Sequence, residues 1–101
     1  MRRTWISEHG EGYAVPACIT SALHDLSWHS DQCPHFCRKD EPCEGDDMPA
    51  ISLWVEHPDP ALRSDPGCAR FIVADNGVLD VLLETDDAEE AVAFILKQLL
   101  P

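Results

Sequence analysis

Basic residues are scarce in this chain. Lys and Arg number 7 against 19 Asp and Glu, a formal net charge of −12 over 101 residues. Nucleic acid and anionic membranes both require a cationic surface, so this balance argues against binding either directly. Long hydrophobic runs are also missing. The longest, Ala91 to Leu96, has six residues, far short of the roughly 18 that span a bilayer. Met1-Arg2-Arg3 is positive, but Trp5-Ile6 runs straight into Ser7-Glu8-His9-Gly10-Glu11, without the apolar stretch of a secretory signal. A cytoplasmic protein with reduced thiols is expected. Repeats and low-complexity tracts are lacking too.

A hydrophobic fraction of 45% excludes wholesale disorder. The length suits a single domain, 1–101. Its charge is unevenly spread. Residues 1–39 hold four acids (Glu8, Glu11, Asp25, Asp31) and four bases (Arg2, Arg3, Arg38, Lys39). Residues 40–101 hold fifteen acids against three bases, Arg63, Arg70 and Lys97. The whole imbalance therefore belongs to the C-terminal part.

Residues 4–15 read as a short strand and turn or an irregular arm. Pro16 can open a helix. Ile19, Ala22, Leu23 and Leu26 follow at the spacing of one buried stripe, which predicts a helix over about 16–26. Ser27 to Asp31 suits a short strand. Residues 32–50 are rich in charge, Pro and Gly and read as a polar, cysteine-containing loop. Ile51, Leu53, Val55 and His57 alternate with Ser52, Trp54 and Glu56, the pattern of a half-buried strand. Asp59 and Pro60 are suited to start one helical turn.

Two apolar runs flank Asn76-Gly77, a preferred pair for a two-residue hairpin turn. That turn would oppose Asp75 with Val78, Ala74 with Leu79, Ile72 with Val81 and Phe71 with Leu82. Both faces of such a hairpin are mostly apolar, so it is covered twice or meets a partner. Asp86 with Glu89 resembles a capping box. Ala88, Ala91, Val92, Ile95 and Leu99 then form the stripe of a helix over about 86–100. The expected fold is α+β: an N-terminal helix, a three- to four-stranded antiparallel sheet with the Asn-Gly hairpin, and a C-terminal helix packed on the sheet.

Three groups of residues invite chemical readings. Cys33, His35, Cys37 and Cys43 place four thiol or imidazole groups within eleven residues, which suits zinc as a cofactor. No Cys-x-x-Cys pair supports that, and reduced cysteines in a polar loop or a disulfide among Cys33, Cys37, Cys43 and Cys68 are the alternatives. Cys18 and Cys68 read as packing residues. Cys33 with His29 or His35 and Asp31 has the residue types of a thiol nucleophile. No family signature surrounds it, so no catalytic residue is assigned and an enzyme is not expected.

The acids are the third group. Their ordinary role is a solvated surface. Their sharper role is to meet a basic protein surface, through Glu41, Glu44, Asp46 and Asp47 in the loop and Asp80, Glu84, Asp86, Asp87, Glu89 and Glu90 further on. Trp54 joins that set if its face is open, because Trp is enriched at binding hot spots; a second helix over the sheet would bury it instead. Trp28 in the short strand raises the same question. A calcium loop is excluded because Asp-x-Asp-x-Asp-Gly does not occur.

The strings from Trp28 to Pro34 and from Leu53 to Pro60 resemble small hypothetical proteins of proteobacterial genomes and mobile elements, a likeness that implies no activity. In size and acidity the chain is similar to phage inhibitors of the anti-restriction and anti-CRISPR type, which is analogy at the level of shape and charge. The expectation is a small acidic non-enzymatic binding protein. It would act as an inhibitor or nucleic-acid mimic on a basic protein, such as one of a nucleic-acid-binding complex. The alternative is a zinc-stabilised domain. Homodimerisation through the apolar hairpin or helix face is compatible with both.

Overall fold

The computed structural model describes residues 4–25, 27, 33–38, 51–63, 67–75 and 80–97. Two short helices come first, α1 (Trp5–His9) and α2 (Ala17–Ala22), with a 3₁₀ turn at Glu11–Tyr13 between them. Five strands follow: β1 (Leu23–Asp25), β2 (His35–Arg38), β3 (Ile51–Val55), β4 (Phe71–Asp75) and β5 (Asp80–Thr85). They form one antiparallel sheet in the order β1-β2-β3-β4-β5, each strand beside its neighbour in sequence. The C-terminal helix α3 (Ala88–Lys97) lies across the sheet and against α2. No helix among the described residues is long and apolar enough to cross a membrane.

The core sits between α3 and one face of the sheet. Strand geometry sends alternate side chains to opposite faces. Register then aligns Phe36, Leu53, Val73 and Leu83 in one row, and Val55 beside Phe71 in the next. Ala91, Val92 and Ile95 of α3 close over these rows, with Ile19 of α2 and Val15. Phe36, Leu53, Val55, Val73 and Ile95 are wholly excluded from solvent. Burying a side chain of that size contributes about 1.5–3 kcal/mol each. Facing the other way are His35, Trp54, Ile72 and Glu84 in one row, with Ser52 beside Ala74.

The N-terminal arm is helical where a strand or irregular arm was expected. Thr4 caps α1, accepting from Ser7 N while the Ser7 hydroxyl receives Thr4 N. Gly10, at φ +94°, ends the helix in a conformation that favours glycine. Trp5 N donates to Asp25 Oδ2 at 2.7 Å, tying α1 to β1.

Four further expectations are corrected. The sheet has five strands, not three or four. The helix expected over 16–26 stops at Ala22, because Leu23 turns extended (φ −121°, ψ 164°) and joins β1, where Leu23 faces Arg38. The supposed loop at 32–50 contains β2, whose His35, Phe36 and Cys37 are all buried. The hairpin register differs as well. Asp75 faces Asp80 and Ala74 faces Val81, so the strands close two residues later than a two-residue turn requires. An irregularity beyond Val73/Ala74 then brings Leu83 opposite Val73. Leu82 is the additional residue, and it resets which side chains reach the core.

Candidate functional site

Five of the acids singled out above lie where β5 passes into α3, and the sixth, Asp80, starts β5 at its other end. Asp80, Glu84, Asp86, Asp87, Glu89 and Glu90 are all exposed. The chain turns sharply here because Thr85 and Asp87 satisfy the first backbone donors of α3. Thr85 Oγ1 accepts from Asp87 N at 3.0 Å and donates to the Glu90 carboxylate. Asp87 Oδ1 accepts from Glu89 N at 3.0 Å and Glu90 N at 3.3 Å. The cap is therefore Asp87, one residue later than the Asp86–Glu89 spacing suggests. Asp86 instead accepts from Arg70 N at 3.0 Å. Carboxylates at a helix start are favoured by the helix dipole, so Asp87, Glu89 and Glu90 suit the fold as well as a partner.

Asp80 and Glu84 have no such local role. Neither makes a side-chain hydrogen bond or ion pair among the described residues. Asp80 also lies directly across from Asp75 on the β4–β5 ladder, and like charges so placed are destabilising. Glu84 lies across from Ile72, on the face away from α3.

Nearby bases do little to offset these acids. Arg63 donates Nε to His57 O at 2.7 Å, Nη1 to Cys68 O at 2.8 Å and Nη2 to Pro58 O at 3.4 Å. It meets Asp86 only at 3.9 Å. Arg70 donates to Tyr13 O at 2.6 Å, Ala14 O at 3.0 Å and Glu56 O at 3.4 Å. Burial, and then the positive charge of Arg63, lower the Arg70 guanidinium from its ordinary value; it stays charged. Both arginines are thus committed to backbone carbonyls. The sequence offers no signal for this, since a carbonyl has no residue identity.

A second polar cluster lies at the end of β2 and β3, under cover. The Cys33 thiol, 2% exposed, donates to Glu56 Oε2 at 3.9 Å. Tyr13 stands beside them, its phenol raised by burial and next by the Cys33 and Glu56 charges. The Tyr13 ring also meets His9 and His57 edge-on, with centroids at 5.7 and 5.1 Å. A thiol so buried lacks the electropositive, open setting of a reactive cysteine.

Three of the proposed zinc ligands, Cys33, His35 and Cys37, have separate partners. His35 N donates to Ser27 Oγ at 3.1 Å, and its Nε2 pairs with Ser52 Oγ at 2.5 Å. Its ring stacks on Trp54 at 3.9 Å between centroids, 3° from parallel. Burial lowers the His35 imidazole to about 4, against a smaller upward pull from Asp25, so the ring is neutral at pH 7. Cys37 Sγ donates to Arg38 O at 3.3 Å. No three His, Cys, Asp or Glu side chains converge as a metal site among the described residues. Cys18, Cys33, Cys37 and Cys68 form no disulfide among the described residues. Trp54 is half-buried, with one face against His35. Glu41, Glu44, Asp46, Asp47 and Cys43, and also Trp28, His29 and Asp31, lie outside the described residues.

No family model matches this chain, and neither a curated protein nor a solved structure matches it.

Proposed function

We propose that this chain is a non-enzymatic binding protein that meets a basic protein surface with the acidic corner of β5 and α3. The observation carrying this reading is the asymmetry of that corner. Five carboxylates, Glu84, Asp86, Asp87, Glu89 and Glu90, are exposed close together in the chain, with Asp80 exposed at the other end of β5, while Arg63 and Arg70 donate inward to main-chain oxygens. The negative potential there is left largely uncompensated, and such a surface steers basic partners and fixes their orientation. A nucleic-acid-binding protein is the natural class of partner, because its cationic groove is shaped for a row of negative charges.

The test is affinity capture from host extract with the wild-type chain and an Asp80→Asn, Glu84→Gln, Glu89→Gln variant, which leaves the Asp87 cap in place. The expected result is a basic protein retained at about 0.1 M salt and released at about 1 M, where the Debye length falls from about 10 Å to about 3 Å. The variant should lose it at low salt. Retention that ignores both salt and the three substitutions overturns the proposal.

A further inference from the structure

We infer that the outer edge of β5 is a strand-addition site, which takes an extended basic segment of a partner protein as a sixth strand of the sheet. The inference rests on the acidic-surface reading and specifies how the partner sits. Among the described residues β5 is last in the strand order and pairs with β4 alone. Its outward N–H and C=O groups form an edge that another chain can pair with. The edge is not apolar waste covered by its own chain: Val81 is 51% exposed, and Asp80 and Glu84 are exposed on either side of it.

Charge decides the occupant. Open edges are commonly guarded by charged side chains and by irregular register, and β5 has both. Such guards repel a second copy of this chain, because pairing β5 antiparallel with β5 would bring the acids of one copy against those of the other. They do not repel a basic strand. For that partner the same carboxylates are attractive, and main-chain pairing supplies the remaining contact. The extra residue at Leu82 also shapes the occupant. Asp80 pairs with Asp75 on the α3 side, while Glu84 pairs with Ile72 on the other. A fitting segment therefore carries a base on each of its faces, about 10 Å of strand apart.

The probe is a seven-residue peptide with lysine at every third position, which places bases on both faces of a strand. It is compared with the same peptide methylated on alternate backbone nitrogens, with charge unchanged. The parent peptide should bind and slow hydrogen exchange of β5 amides, and methylation should weaken binding at least about tenfold. Reversing the edge charges with Asp80→Lys and Glu84→Lys should transfer preference to the glutamate version of the peptide. Equal binding of both lysine peptides, or no protection in β5, overturns strand addition and leaves the acidic-surface reading intact. Failure of the parent lysine peptide to bind, while a basic protein is still captured in a salt-dependent way, does the same. A β5-paired homodimer in sedimentation overturns the choice of occupant.

Discussion

Two clusters of ionisable groups lie at different places in this small protein, and they are built in opposite ways. At the ends of β2 and β3, Glu56 is buried, accepts from the Cys33 thiol, and stands beside Tyr13. At the junction of β5 and α3, Glu84 and Glu89 are in solvent and hold nothing. The same side chain is a structural member in one place and an unspent charge in the other. Count and spacing do not separate the two; the presence of a partner does. A buried polar group needs its hydrogen bond to avoid a desolvation penalty. An exposed carboxylate needs none, so a dense set of them is free to serve something outside the chain.

That contrast can be broken or sharpened by substitution and by pH. The largest effect is expected under cover. The His35 imidazole titrates at about 4 in the fold, below its ordinary 6.5. The unfolded chain therefore binds the extra proton between those values. Stability is fully present above pH 6.5 and falls as pH drops towards 4, by on the order of 3 kcal/mol. Denaturation midpoints across that window measure the loss, and the His35 ring resonances should titrate near its lower end. Titration near 6.5 would remove the effect.

Arg70→Met comes next. It strips donors from the carbonyls of Tyr13, Ala14 and Glu56, and destabilisation of about 1–3 kcal/mol is expected, read as a lower urea midpoint. Asp87→Ala removes the α3 cap and should cost about 1 kcal/mol, with helix content reduced. Glu89→Gln, on the open side of the same turn, should move stability by less than about 0.5 kcal/mol. If Glu89→Gln matches Asp87→Ala, the division between structural and free acids fails. The smallest effect has the opposite sign. Asp80→Asn relieves the pairing with Asp75 and should raise stability by a few tenths of a kcal/mol, within the range of about 0.2–1 kcal/mol for cross-strand pairs, while weakening capture of a basic partner.

Much of the fold was legible because its patterns are regular. Ile51 to Val55 alternates as a β-strand should, and α3 repeats its apolar residues at helical spacing. Elements escaped where one residue satisfies two patterns or none. Leu23 fits a continuing helical stripe and a strand equally well, so β1 was absorbed into the helix before it. β2 has three consecutive buried residues, two of them His and Cys, and its sheet face away from α3 hides an imidazole where alternation would place a polar, exposed group. The hairpin register was misplaced because Asn76-Gly77 is a local signal, while the extra residue at Leu82 is chosen by packing of Leu83 against Val73. The acids of the β5–α3 corner were legible as exposed charge. The inward turn of Arg63 and Arg70 was not, since their partners are main-chain oxygens.

The reach of Arg70 has one more consequence. Every strand lies beside its neighbour in sequence, so the sheet can assemble like a ribbon folded back and forth, each pairing made between consecutive strands. Arg70 fastens the start of the chain to its far half by hydrogen bonds, joining carbonyls 56 and 57 residues away, beside the Tyr13–His57 ring contact. It works as a latch fitted after the ribbon is folded. Opening it should loosen the segment around Tyr13 and Ala14 first and make it the earliest point of protease attack, while the ribbon beneath stays closed.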